Sequence, residues 1–208
     1  MNARNFETEM ENMIASVRER GEKPALLLHA CCAPCASACL LRLMEDFAVT
    51  AFYYNPNITD AEEYHKRLEE LKRLAGLLNE AYEDRMASPV RVAEGPFEPE
   101  LFYERVRGLE ACAEGGERCF LCYEQRLEKT LRVAQDEGFA YFATTLTLSP
   151  LKNAARINEI GERLAAGSAV RYLVSDFKKK DGYKKSIELS EKYGLYRQRF
   201  CGCEFSRR

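Results

Sequence analysis

Short apolar runs alternate with amphipathic stretches along this chain, and the alternation predicts its class of fold. Residues 24–31 (PALLLHAC) and 49–54 (VTAFYY) are apolar or β-branched runs with the length of buried strands. Shorter runs of the same kind lie at 90–92, 139–145 and 170–174. Each of these runs is predicted to form a strand.

Helical periodicity fills the intervals between these runs. The first 20 residues predict an amphipathic helix, and Pro34 suits the first turn of a second one. Leucines recur at helical spacing after Thr59 or Asp60, either of which can cap a helix. Further helices are predicted at 118–137, 153–165 and 182–193. Strands that alternate with helices indicate βαβ units, and therefore an α/β three-layer sandwich with a mostly parallel sheet.

In such sheets, functional sites lie beyond the carboxyl ends of the strands. Cys31 and Cys32 follow the first predicted strand, Asn55-Pro56-Asn57 follows the second, and residues 144–153 follow a later one. We therefore expect these segments to share one edge of the sheet and to form one active site.

The 208-residue length fits one domain with a small appendage. We predict an N-terminal helical extension over 1–22 and a single α/β catalytic domain over 23–208, with a loop-rich insert at about 95–118. The opening residues are charged and lack the apolar core of a secretory signal, and no apolar run is long enough to cross a membrane. The expected location is the cytoplasm.

Cysteine is the residue type whose number and spacing are unusual for a protein of this fold class. The chain has nine cysteines, and seven of them form three tight clusters. In a reducing compartment, clustered thiols favour metal binding or redox chemistry over disulfides. Because seven thiols exceed what one four-ligand site can use, either two metal centres share them or some are free. The clustered residues are Cys31, Cys32, Cys35, Cys119, Cys122, Cys201 and Cys203.

The spacing within each cluster suggests how the sulfurs are presented. Successive side chains of an extended chain point to opposite sides, so Cys31 and Cys32 are expected to diverge and to serve two neighbouring centres. Cys119 and Cys122 should share one face of a helix. Gly202 permits a bend that brings its two flanking sulfurs together. Thiolate-rich sites of this kind suit an iron–sulfur cluster, a zinc ion or a redox dithiol, in that order of preference.

Several residues have simpler interpretations. Cys39 is predicted to be a small core residue and Cys112 a free thiol, and His29 to be a buried histidine with satisfied hydrogen bonds. The hydroxyls and Lys152 of residues 144–153 (TTLTLSPLKN) could hold a phosphate at a helix N-terminus, or Ser149 could simply cap that helix.

Charge is concentrated near the C-terminus. The net charge is −2, but eleven Lys/Arg against five Asp/Glu lie from Arg171 onwards. Residues 176–183 (DFKKKDGY) mix lysines with aromatics, a composition suited to RNA backbone contacts and base stacking, although a solvated face is the simpler alternative.

Five segments together resemble one known family. LLLHACCAPC, YYNPNI with EEYHKRLEELKRLA, RCFLCYEQRLEKT, FATTLTLSPLKN and SDFKKKDGYKKSIELSEKYGLYRQRFCGCEF are similar to the epoxyqueuosine reductases of the QueH type. The resemblance runs from about residue 25 to residue 205. It implies a nucleotide-hydrolase-like α/β sandwich and an oxidoreductase that completes queuosine biosynthesis. Its substrate would be tRNA carrying epoxyqueuosine at the wobble position.

The resemblance also implies the cofactors: a [4Fe–4S] cluster beside a second mononuclear metal, expected to be iron. Some members of the family carry Asp at the position of Cys35, so Cys35 is assigned to the second metal. The reaction needs an electron donor, which the motifs do not specify, and proton donors, for which Asp176 and Tyr183 are the candidates. The expected substrate-binding residues are Asn55, Ser149, Lys152, Asn153, Lys178, Lys179 and Lys180.

Two rival functions make different predictions. ATP-dependent tRNA thiolation on a similar fold would need a glycine-rich SGGxDS-like loop after the first strand, where this chain has CCAPCAS. A zinc-stabilised RNA-binding module without redox activity would give a colourless protein. An iron–sulfur enzyme would instead absorb visible light at about 400 nm.

Overall fold

The computed structural model describes residues 4–206, and its centre is a parallel sheet. The strand order is β3-β2-β1-β4-β5, and every neighbouring pair is parallel. Residues 1–3 of the predicted extension and 207–208 of the predicted α/β domain lie outside the described residues. The strands are β1 (Ala25–His29), β2 (Ala48–Tyr53), β3 (Arg91–Glu94), β4 (Tyr141–Thr144) and β5 (Arg171–Tyr172).

Helices connect the strands where helical periodicity predicted them. Side-chain caps begin three of the helices: Asn5 accepts a hydrogen bond from the Thr8 amide, Asp60 from the Glu63 amide and Asn153 from the Arg156 amide. The helices are α1 (Phe6–Glu19), α2 (Ala33–Leu43), α3 (Ala61–Ala81), α4 (Pro99–Arg105), α5 (Glu117–Asp136), α6 (Ala154–Ala165) and α7 (Gly182–Lys192).

The alternation of side chains along β1 divides the core into two layers. Leu26 and Leu28 belong to one buried cluster, which also contains residues of α1, α2, α3 and α7. Leu27 points to the opposite face and packs with residues of α5 and α6. The sheet therefore lies between two helical layers, and the predicted α/β sandwich is confirmed.

Two elements differ from the expected pattern. Helix α4 lies within residues 95–118, where glycines suggested only loops; Pro99 occupies its first turn and Phe102 is buried. Strand β5 has only two residues, Arg171 and Tyr172, although the apolar run predicted for it covers 170–174. Within residues 4–206, no helix is both long and apolar enough to cross a membrane.

The topology determines where a site can form. Strand β1 is central, with β2 on one side and β4 on the other, and the chain winds outward in both directions. The connections from β1 and β4 leave toward opposite faces of the sheet, which opens a crevice at their carboxyl ends.

Candidate active site

The crevice at the carboxyl ends of β1, β2 and β4 brings together the three segments expected to meet there. The Cys31 amide, just after β1, donates to Thr145 Oγ1 at 3.4 Å, just after β4. Asn55 follows β2 and donates through Nδ2 to the carbonyl of Ala30 at 3.0 Å. These hydrogen bonds tie the segments into one edge, as predicted from strand order.

The first thiol group consists of Cys31, Cys32 and Cys35, whose sulfurs lie within 4.8 Å of one another. The expectation that Cys31 and Cys32 diverge is wrong, because their sulfurs are 3.8 Å apart. Strand β1 ends at His29, so the regular alternation of a strand no longer applies at Cys31. Cys32 is the N-cap of α2, and the first helical turn then returns Cys35 to the same place. The spacing of the three sulfurs suits a single metal ion.

Ionisation is unevenly divided within this first thiol group. Hydrogen bonds from the thiols of Cys32 and Cys35 lower the pKa of Cys31 well below its ordinary value. The same contacts raise the pKa of Cys32 to about 12 and raise that of Cys35, because neighbouring sulfurs in a buried place cannot all carry charge. A bound cation would remove this penalty and hold all three as thiolates.

The second thiol group consists of Cys119, Cys122, Cys201 and Cys203, which line one narrow cavity. Cys119 and Cys122 lie in the first two turns of α5, on one face as predicted. The Gly115 amide donates to the sulfur of Cys119 at 3.2 Å.

The C-terminal cysteines reach this cavity because of a glycine and two buried polar side chains. Gly202 has φ +103°, and a Cβ there would lie 2.5 Å from Ile58 Cγ1, so only glycine fits. Arg67 Nη1 and Asn57 Nδ2 each donate to the carbonyl of Cys201 at 3.2 Å. The thiol of Cys203 donates to Cys201 and lowers the pKa of Cys201 to about 5. The predicted convergence of the two sulfurs is confirmed.

A buried arginine that the sequence analysis missed links the two thiol groups. Arg126 is only 3% exposed, and its partners are neutral groups and a sulfur rather than a carboxylate. Its guanidinium donates to Cys122 Sγ at 3.3 Å, to the Cys122 carbonyl at 3.3 Å and to Asn55 Oδ1 at 3.2 Å. Burial alone would lower the pKa of Arg126, but the sulfurs of Cys122 and Cys31, when ionised, raise it. The spacing of Cys122 and Arg126, four positions apart on one helix, is the signal that could have found it.

Lys152 is a second cation at the site. It lines both the narrow cavity and a larger one of about 660 Å³, which also contains Cys31 and Cys35. Burial would lower the pKa of Lys152, but the negative charge carried by the sulfurs of the first thiol group, chiefly by Cys31, raises it above its ordinary value. The ammonium therefore stays charged and is attracted to both thiol groups.

The other expected substrate-binding residues fall in different places. Ser149 and Lys152 line the larger cavity, as does Tyr183, one of the two candidate proton donors. Asn55 contacts Arg126, as described above. The alternative that Ser149 caps α6 is wrong: Asn153 is the cap, since its Oδ1 accepts from the Arg156 amide at 3.0 Å.

The lysine-rich segment lies away from the cavity lining. Lys178 donates to Asp176 at 2.5 Å, so this candidate proton donor is held in an ion pair. Lys180 forms an ion pair with Glu11 of α1. Lys179 is exposed to solvent.

The residues with simple interpretations behave as expected. His29 is fully buried; its Nε2 donates to the Tyr54 carbonyl at 3.1 Å and its Nδ1 accepts from Thr144 Oγ1 at 2.9 Å. Burial and the charge of Arg126 lower the pKa of His29 to about 3, so it is neutral. Cys39 is buried in the core, and Cys112 is a free, half-buried thiol.

The fold and the site together define an α/β protein with a cysteine-rich candidate metal centre at the switch point of a parallel sheet. The family model described as Epoxyqueuosine reductase QueH matches residues 26–208, and the chain belongs to that family.

Curated relatives agree over most of their length. The chain is 37% identical over 202 residues to Epoxyqueuosine reductase QueH of Streptococcus pyogenes serotype M1, covering 97% of this chain and 78% of the relative. It is 37% identical to the protein of the same name from Staphylococcus epidermidis, with 97% and 84% covered. For the Thermotoga maritima protein of that name the identity is 33%, with 87% and 89% covered. The resemblance inferred from the motifs is confirmed.

Proposed function

We propose that this protein is an epoxyqueuosine reductase acting on tRNA, the activity for which its relatives are named. The observation that supports this most directly is the position of the first thiol group in a cavity of about 660 Å³. That volume lies in the ordinary range for small-molecule sites and admits a modified nucleobase.

The reaction requires both electrons and protons. Both C–O bonds of the epoxide break, the oxygen leaves as water, and a carbon–carbon double bond remains. This change consumes two electrons and two protons. We propose that a redox cofactor supplies these electrons.

We propose a [4Fe–4S] cluster and a second metal, iron, held by the seven clustered thiols. Their sulfurs are soft donors of the kind that both groups require, and the two thiol groups are adjacent, since Lys152 and Cys201 line both cavities. When bound, these groups supply electrons and a Lewis acid. Cys119 and Cys122 are proposed for the cluster and Cys35 for the second metal.

The chain's own cations then have separate tasks. Arg126 neutralises thiolate charge inside the site. Lys152 lines the same cavity as Cys31 and Cys35, and we propose that its ammonium faces the epoxide oxygen and supplies a proton. This position favours Lys152 over Tyr183, which lies at the mouth of the cavity, and over Asp176, which is paired with Lys178.

The test is conversion of the substrate under anaerobic conditions. Protein reconstituted with iron and sulfide is incubated with a chemical reductant and tRNA carrying epoxyqueuosine, and the nucleosides are analysed by mass spectrometry. We expect queuosine from the wild type and from Cys39→Ala, and none from Cys122→Ala. Unchanged epoxyqueuosine with a fully loaded wild-type protein would reject the function, and a colourless protein that binds only zinc would support the RNA-binding module instead.

A further inference from the structure

Two exposed apolar side chains stand at the mouth of the larger cavity. Leu151 is 76% exposed and Tyr183 is 38% exposed, and both line the cavity that contains the first thiol group. Leu151, exposed to this extent, contributes little to the core. Exposed apolar side chains that lie together at the entrance of a cavity indicate a binding surface.

The backbone holds both side chains in place. The Leu151 amide donates to Ser149 Oγ at 3.3 Å and the Lys152 amide to the Ser149 carbonyl at 3.2 Å, which closes a tight turn beneath Leu151. Tyr183 lies in the first turn of α7, and Ser186 Oγ donates to its carbonyl at 2.7 Å. Both side chains are therefore presented by ordered turns.

The turn before Tyr183 is also strained. Lys180 and Asp181 have φ values of +48° and +61°, in the left-handed region that non-glycine residues rarely adopt. At Gly182, a Cβ would lie 1.8 Å from the Phe177 carbonyl oxygen. Strain of this kind is concentrated at functional sites, where it sets the direction of a side chain.

The charges around this mouth are those that attract a phosphate backbone. Arg197 and Arg199 line the cavity near Tyr183, and the exposed Arg199 is available to an anion. Arg197 Nη1 donates to Ser190 Oγ at 3.0 Å, which orders that guanidinium without neutralising it. By contrast, Lys178 and Lys180 are already engaged in ion pairs.

We propose that Leu151 and Tyr183 form a contact platform for the bases that flank the wobble nucleotide, while Arg199 binds the adjoining phosphate. The inference rests on the proposed function. Bases of an anticodon loop are unpaired, so a neighbouring base can stack on an aromatic ring and contact an aliphatic side chain when the wobble base enters the cavity. The platform would thus recognise the RNA around the modified base rather than the base itself.

The test is a double-mutant cycle between protein and RNA. Binding of the loaded, oxidised protein is measured to an anticodon stem-loop carrying epoxyqueuosine, with or without abasic sites on both sides of the wobble nucleotide. We expect Tyr183→Ala to weaken binding of the intact loop about five- to one-hundred-fold, the range for one lost base–aromatic stack, and Leu151→Ala to weaken it less. With the abasic loop, neither substitution should have an effect.

Matched controls come from the same chain. Leu101 and Tyr103 are 43% and 39% exposed on α4 and are not among the residues that line this cavity, so Leu101→Ala and Tyr103→Ala should bind like the wild type. Tyr183→Phe keeps the ring and should retain the affinity for the intact loop, which separates stacking from any contribution of the hydroxyl to binding. Arg199→Gln should reduce the slope of log K against log salt by about one.

Equal weakening of intact and abasic loops by Tyr183→Ala would refute the role of Leu151 and Tyr183 in contacting the flanking bases. Unchanged binding in both platform variants would refute it too, and both results would leave the reductase function intact. Failure of the wild type to bind the stem-loop and to convert tRNA would reject the proposed function, and this inference with it.

Discussion

Replacing Arg126 by methionine should make the proposed iron–sulfur cluster harder to reduce. The substitution keeps an unbranched, flexible side chain but removes one positive charge from a buried place. The guanidinium lies 3.3 Å from Cys122 Sγ, so a full thiolate there gains about 5 kcal/mol at an effective dielectric constant of about 20. This electrostatic attraction becomes stronger when the centre accepts an electron, because the added negative charge lies next to the same cation.

The expected shift follows from that interaction. If the attraction between the Arg126 guanidinium and the cluster is about 1.4 kcal/mol stronger in the reduced state, its removal lowers the midpoint potential by about 60 mV for a one-electron couple. The substitution leaves Asn55 Oδ1 without its hydrogen-bond donor, which lowers the free energy of unfolding by about 1–3 kcal/mol. The fold should survive a loss of this size. Removing a desolvated guanidinium offsets part of that cost.

A redox titration monitored by electron paramagnetic resonance measures this shift. Arg126→Lys keeps the charge and should recover part of the potential. Arg132→Met, on the exposed side of the same helix, should leave it unchanged. A wild-type potential in Arg126→Met with full metal content would refute the electrostatic role of Arg126.

Three further predictions concern the thiols. Cys119→Ala or Cys122→Ala should lose the cluster signal in electron paramagnetic resonance, whereas Cys35→Ala should keep it and lose turnover; loss of the signal in Cys35→Ala would show that the ligands were assigned wrongly. Gly202→Ala should lower the metal content measured by elemental analysis, because φ +103° and the contact with Ile58 forbid a Cβ, while Gly76→Ala, with open space around it, should not. In metal-free protein at pH 6.5, Cys201 should be alkylated faster than Cys203, because a pKa lowered to about 5 keeps Cys201 a thiolate at pH 6.5. Mass spectrometry measures the two rates, and equal rates would contradict this prediction.

The pattern of residues along the chain was sufficient to predict the class of fold and the residue types of the site. Apolar runs and helical spacing predicted the strands and most helices, because burial on one face imposes a period that is visible in the sequence. The three cysteine clusters and the order of the strands predicted one thiol-rich edge. Helix α4 escaped prediction because it is short and its surroundings are rich in glycine.

Only the tertiary structure decided how those thiols are arranged. Cys31 and Cys32 converge because both lie in the turn between the end of β1 at His29 and the start of α2 at Ala33, a backbone that strand periodicity cannot describe. Cys201 reaches Cys122 because Arg67 and Asn57, distant along the chain, bind its carbonyl. The position of Arg126 between both thiol groups, and of Leu151 and Tyr183 at one entrance, depends on the same long-range packing. Contacts of this kind arise from how elements dock on one another, and no periodicity within a single element encodes them.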